Sequence, residues 1–207
     1  MRKLELHFDT ELQGKFELKE LNLLLVFQVH CPGCFSYALP LFNKLFMNFE
    51  SENISFLALS TAFEDFEKNT MQNTKSLVES GTLIGETKKF LNQQGYKKLP
   101  YQLDFPIAMD KIGLNNPEEL RNAIERICSI NPNYKIWPEF EKTALQDKVK
   151  SYLNSLDQIA LTFTINQLRG TPSLVLFNSN YEILSEWFGH VSYQEIASKV
   201  KQFNRSS

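Results

Sequence analysis

Apolar residues gather along this chain in short, dense runs separated by longer periodic stretches. Residues 21–29 (LNLLLVFQV) are almost continuously apolar, of strand length, and stop at Cys31-Pro32. A parallel strand buried on both faces reads this way. Residues 35–50 follow with Phe35, Leu39, Phe42, Leu45, Phe46 and Phe49 at helical spacing. Residues 53–60 (NISFLALS) predict a second buried strand, and 63–79 and 86–94 predict helices. Residues 105–109 (FPIAM) form a short apolar segment bounded by Asp110. Residues 173–177 (SLVLF), the turn residues 178–180 and residues 181–184 predict a hairpin, and 192–203 predict a closing amphipathic helix. Strand and helix alternate first and a hairpin comes late, which implies an α/β sheet with helices on both faces.

The stretch from Asp110 to Gly170 is mostly helical in pattern. Asn116 and Pro117 form a helix start, as N-cap and first-turn proline, and a second helix is expected at 138–156. No repeat, low-complexity tract or Gly/Ser linker divides the chain. The expectation is one domain over 1–207 with a helical insertion at about 111–160. Tyr134, Trp137 and Phe140 in it are read as core packing.

Composition narrows the function classes. The chain has 207 residues, 43% hydrophobic and 22% charged, an ordinary globular balance that excludes disorder. A net charge of −2 leaves no basic footprint for nucleic acid. No apolar run approaches the ~20 residues of a membrane span, and the start MRKLELHF has no signal-peptide core. A reducing, cytoplasmic setting is therefore expected. Three cysteines, an odd number, argue against a disulfide-stapled scaffold.

Two of them form Cys31-Pro32-Gly33-Cys34, where a predicted buried strand hands over to a predicted helix. A helix N-terminus favours a thiolate at Cys31, and Pro32 costs nothing in the first turn. The spacing puts Cys34 within disulfide reach. Cys31 reads as attacking nucleophile and Cys34 as resolving thiol. Two other readings stand beside this one: half of a zinc site, or two inert buried thiols. For zinc, only Cys128, His7, His30 and His190 remain, scattered singly, so no metal site is expected. Cys128 lies in an apolar helical pattern and reads as a small buried hydrophobe. Far downstream, Gly170-Thr171-Pro172-Ser173 opens the strand SLVLF, the one place in a strand where proline fits well.

The strand LLLVFQV, the motif CPGC, residues 105–110, the Gly170-Thr171-Pro172-Ser173 segment and Glu186-Trp187-Phe188-Gly189 together resemble the thioredoxin superfamily. The likeness is to its redoxin branch of TlpA/ResA-type and AhpC/TSA-like proteins, over roughly 15–110 and 160–204. The resemblance implies a thioredoxin-like fold, a central mixed sheet flanked by helices, with the helical insertion placed before the strand that follows a cis Thr171-Pro172 peptide. It implies a thiol–disulfide oxidoreductase cycling between a Cys31–Cys34 disulfide and a dithiol, with no other cofactor. Pro32, Gly33, Thr171 and Pro172 would receive the extended backbone of a protein partner, or a small thiol. A monomer or weak dimer is expected.

Several positions depart from that family. Leu25 stands where its members carry a buried Asp, so Cys34 needs another proton acceptor. Glu64 and His30 are candidates, against bland readings as a solvated helix start and a polar rim residue. Pro40 falls one place late for the helix-kinking proline. Gln28 stands where peroxiredoxins hold a Thr, which counts against a thiol peroxidase as the alternative. A metal- or copper-binding carrier using Cys31, Cys34 and His190 is the other alternative, although His190 reads more simply as a surface turn residue.

Overall fold

A computed structural model describes residues 2–49, 52–114 and 116–204. Glu50, the last residue of the predicted helix at 35–50, and Asn115 of the expected insertion lie outside the described residues, as do residues 1, 51 and 205–207 of the expected domain. Six strands form one mixed sheet: β1 (Phe8–Gln13), β2 (Leu21–Phe27), β3 (Ile54–Ser60), β4 (Ile107–Asp110), β5 (Ser173–Asn178) and β6 (Ile183–Phe188), in the order β1-β4-β3-β2-β5-β6. The pairs β2–β3 and β3–β4 are parallel, and β5 and β6 close one side antiparallel. The predicted buried strands and the hairpin are all present. β1 is an addition that the apolar pattern did not reveal. It is an edge strand paired antiparallel to β4, with residues only partly buried, so it carries no dense apolar run.

The register of β5 on β2 brings the two signature segments together. Leu174 pairs with Leu25 and Ser173 with Val26, so Thr171-Pro172 emerges beside the loop that follows β2. Cys34–Ala38 forms a π turn and α1 (Leu39–Phe49) continues from it. Leu39 N–H donates to the Cys34 carbonyl, a step of five residues. Pro40 supplies the reason. It has no N–H, and its ring would strike the Ser36 carbonyl of a regular α-helix, so the preceding turn widens.

α2 (Met71–Ser80) starts later than the predicted 63–79 helix. Asp65 has a left-handed φ of 46°, and Thr70 caps α2 by accepting from Asn73 N–H. Residues 63–70 are consequently a loop, and Glu64 is not at a helix start. α3 (Gly85–Gln93), α4 (Pro117–Cys128), α5 (Glu139–Ser155), the short α6 (Leu161–Ile165) and α7 (Tyr193–Asn204) complete the helices. Asn116 accepts from Glu118 and Glu119 N–H at 3.0 and 2.9 Å, the expected cap of α4.

Alternation along the strands feeds two apolar layers. Leu23, Leu25 and Phe27 of β2 pack toward α1, α2, α3 and α7, while Leu24 and Val26 pack with Leu57, Leu59, Phe163 and Phe177 on the other face. Phe42 meets Phe56 and Phe105 edge-on at centroid distances of 5.4 and 4.8 Å. A third cluster joins α4, α5 and α6 and buries Cys128 and Tyr134, with Trp137 packed against it. Phe140 corrects the core-packing expectation: it is 74% exposed, at the outer start of α5. Asp110 ends β4 fully buried and accepts from Thr61 Oγ1 and from the N–H groups of Thr162 and Phe163. Burial pushes its carboxyl up to about 6 against the pull of those donors. No helix among the described residues is long and apolar enough to cross a membrane.

Candidate active site

The buried strand β2 runs out at Phe27, and the chain folds back on itself over the next seven residues. Cys31 N–H donates to the Gln28 carbonyl at 3.2 Å, and Cys34 N–H to the Cys31 carbonyl at 3.0 Å. Both cysteines are free thiols. Cys34 is wholly buried and Cys31 half-buried. The Cys34 thiol donates to Cys31 Sγ across 2.8 Å, and Cys34 N–H also points at that sulfur, at 3.3 Å. Cys31 Sγ in turn faces the Thr171 carbonyl at 3.6 Å.

This geometry separates the two thiols electrostatically. Cys31 is lowered from 9.0 to about 6, chiefly by the hydrogen bond from the Cys34 thiol, with help from the Cys34 backbone N–H and the Thr171 hydroxyl, and against the opposing effect of burial. Cys34 is pushed well above 9.0, first by burial and then by its hydrogen bond to Cys31 and the charge there. A sulfur that donates to its neighbour's thiolate cannot easily become one itself.

The Thr171-Pro172 peptide is cis. Thr171 Oγ1 donates to Gln28 Oε1 at 3.1 Å, and Gln28 Nε2 donates to the Glu64 carbonyl at 3.4 Å. Asn69, also buried, donates to the same carbonyl at 2.8 Å and accepts His30 N–H at 3.1 Å. The open cleft over Cys31 is lined by Pro32, Thr171, Phe63, Arg169, Gly170 and Phe188 among others. Phe188 lies so close over Gly170 that an added Cβ there would sit 2.8 Å from the ring. Pro172 is buried behind Thr171. Gly33 is exposed, and a Cβ on it would meet nothing within 4 Å.

His30 does something other than face the thiol. Its Nδ1 accepts the Glu86 N–H at 3.1 Å in the first turn of α3, and its Nε2 lies 3.6 Å from Asp65 Oδ2. The nitrogen that accepts an N–H cannot carry a proton, so the proton of this ring belongs on Nε2. Ile84, the N-cap of α3, gives no side-chain bond, and the distant imidazole supplies the missing acceptor. Gly85 makes room for it: a Cβ there would lie 1.9 Å from His30 Nδ1. Glu64 is exposed on the cleft wall, and its backbone carbonyl is what the network uses. Leu25 is fully buried in the core beneath. Tyr101 donates to the Phe35 carbonyl at 2.6 Å, and its hydroxyl is pushed upward by burial and by the charge of Cys34. His190 is exposed and packs edge-on against Tyr37, centroids 4.0 Å apart. Among the described residues no group of three or more His, Cys, Asp or Glu gathers as metal ligands.

Sequence reading thus singled out the cysteines and the Thr171 loop, and it missed Gln28 and Asn69 as organisers of the pocket. The available signal was Gln28 itself, an amide at the end of an otherwise apolar run. A buried amide must find partners.

No protein-family model matches the sequence, and no curated protein matches it. Solved structures do. A thiol-disulfide isomerase from Corynebacterium glutamicum superposes with a TM-score of 0.60 at 17% identity, covering 99% of this chain and 97% of that one. A thioredoxin-like superfamily protein gives a TM-score of 0.57 at 19% identity, again covering 99% and 97%. Likeness over both whole chains at such low identity is a likeness of architecture: this chain has a thioredoxin-like fold.

Proposed function

We propose that this chain is a thiol–disulfide oxidoreductase in which Cys31 attacks and Cys34 resolves. The inequality of the two thiols carries the reading. One sulfur is accessible and held largely as thiolate near neutral pH, and its neighbour is buried and kept protonated. The Cys31 thiolate attacks one sulfur of a partner disulfide. The partner S–S bond breaks, a mixed disulfide forms, and the released partner thiolate takes up a proton. Cys31 is then neutral, so the hydrogen bond and the charge that raised Cys34 disappear, and only burial still opposes ionisation. Cys34 attacks Cys31 Sγ, the Cys31–partner S–S bond breaks, and the second partner thiolate leaves with the proton that Cys34 gives up. Two electrons pass from the Cys31–Cys34 dithiol to the partner, and the resulting disulfide is reduced again by a dithiol reductant.

In this reading the Thr171-Pro172 segment, with Pro32 and Gly33 opposite, receives the extended backbone of a protein disulfide or a small oxidised thiol. Insulin-disulfide reduction with dithiothreitol as reductant tests the proposal. Cys31→Ser is expected to remove the catalysed rate, and Cys34→Ser to accumulate a covalent mixed disulfide through Cys31. An unchanged rate in Cys31→Ser overturns it.

A further inference from the structure

The ladder between β2 and β5 ends at the Val26–Ser173 pair. Beyond it, the Cys31 turn, the Thr171 loop and the 63–70 loop arrive from three separate connections. Gln28 bonds to all three, through its backbone to the Cys31 turn and through its side chain to the other two. It is 2% exposed. Its backbone carbonyl accepts Cys31 N–H at 3.2 Å, its Oε1 accepts the Thr171 hydroxyl at 3.1 Å, and its Nε2 donates to the Glu64 carbonyl at 3.4 Å. The amide is therefore engaged at both ends, and each end holds a different wall of the cleft. A buried amide left without partners is costly, which favours this arrangement over a swung-out one.

We infer that Gln28 is a positioning residue, a buried strut that fixes the Thr171 loop against the Cys31 turn so that a partner's backbone meets a preset edge. The inference rests on the thiol–disulfide reading above. Thr171 offers two groups on this side. Gln28 takes the hydroxyl, and the carbonyl is left facing Cys31 Sγ at 3.6 Å. Gln28 does not touch either sulfur with its side chain. Its loss is therefore felt in binding of the partner and not in ionisation of the nucleophile.

The test uses the full chain and three variants: Gln28→Met, which keeps the length and removes the amide, Thr171→Val, which cuts the same bond from the other side, and the double variant. With insulin as substrate, each single variant is expected to raise KM about tenfold, the loss of one such bond, with kcat within about twofold. The double variant is expected to match the singles. In Gln28→Met, which leaves every group acting on Cys31 in place, the pH midpoint of Cys31 alkylation by iodoacetamide is expected to stay at the wild-type value. Amide hydrogen exchange at positions 171 and 173 is expected to quicken in both single variants. Additive losses in the double variant, a fall in kcat at constant KM, a moved alkylation midpoint in Gln28→Met, or unchanged exchange each overturn the strut. Should Gln28→Met not fold, Thr171→Val carries the same comparison. Wild-type turnover that does not depend on Cys31 overturns the oxidoreductase reading instead, and the exchange measurement still decides the strut.

Discussion

Removing the Cys34 thiol separates the causes that make Cys31 acidic. The Cys34 side chain donates to Cys31 Sγ across 2.8 Å and is the largest influence holding Cys31 at about 6 instead of 9.0. A hydrogen bond to a charged acceptor contributes about 1.5–3 kcal/mol. At 1.36 kcal/mol per pKa unit that is about 1–2 units. The backbone N–H of residue 34, at 3.3 Å from the same sulfur, survives any substitution other than proline. Cys34→Ala should therefore carry Cys31 up to roughly 7–8, short of its ordinary value. Cys34→Ser keeps a hydroxyl donor and should stay near wild type. The assay is the pH dependence of iodoacetamide alkylation, with the modified residue located by mass spectrometry. Cys128 is buried and should remain a spectator. At pH 7 the thiolate fraction would fall from about 90% to between about 50% and 10% in the alanine variant. A more basic thiolate is also a better nucleophile, so the midpoint is read and not the rate at one pH. Equal midpoints in wild type and Cys34→Ala would refute the argument, as would a serine variant that moves as far as alanine.

Three further outcomes follow from the packing. Asp110 holds its proton more tightly folded than unfolded, its carboxyl being raised from 3.8 to about 6. Its contribution to stability is full below pH 4 and drains away as pH rises through 6, by about 2–3 kcal/mol. Urea unfolding should show the difference between wild type and Asp110→Asn shrinking by that amount from low pH to pH 7, and a constant difference would refute it. Gly85→Ala puts a Cβ 1.9 Å from the His30 ring at a φ of +49°, and should cost about 1–3 kcal/mol. Thermal denaturation should show a smaller cost in a His30→Ala background, and an equal one would acquit the ring. Phe42→Ala empties a fully buried site between Phe56 and Phe105 and should cost about 3–5 kcal/mol in urea titrations; a loss below about 1 kcal/mol would contradict the packing.

How much of this was legible depended on whether a residue acts locally. The run into Cys31 and the periodic stretch after Cys34 are local facts, and so are the N-cap at Asn116 and the turn at 178–180. β1 was invisible because an edge strand with polar positions lacks the continuous apolar signature of β2. Residues 63–70 looked helical because Phe63 and Phe66 have helical spacing. The left-handed Asp65 and the buried Asn69 that break the helix serve contacts made elsewhere. His30 was linked to Cys31 by adjacency, yet its ring belongs to a helix that starts more than fifty residues later. Gln28 meets Thr171 at a separation of 143 residues, a pairing that only the register of β5 on β2 creates.

The Glu64 carbonyl receives both Gln28 and Asn69, so both its acceptor positions are engaged by the scaffold. What the pocket needs from the 63–70 loop at that point is a main-chain atom at a set place, not a particular side chain. The outward side chains of Glu64 and Glu67 are then free to vary in charge and size, while the length of the loop is not. Such a division lets the partner-facing surface drift from one chain to another without disturbing the chemistry behind it. It also means that insertions or deletions between Thr61 and Thr70 should damage the cysteine pocket far more than substitutions at those exposed positions.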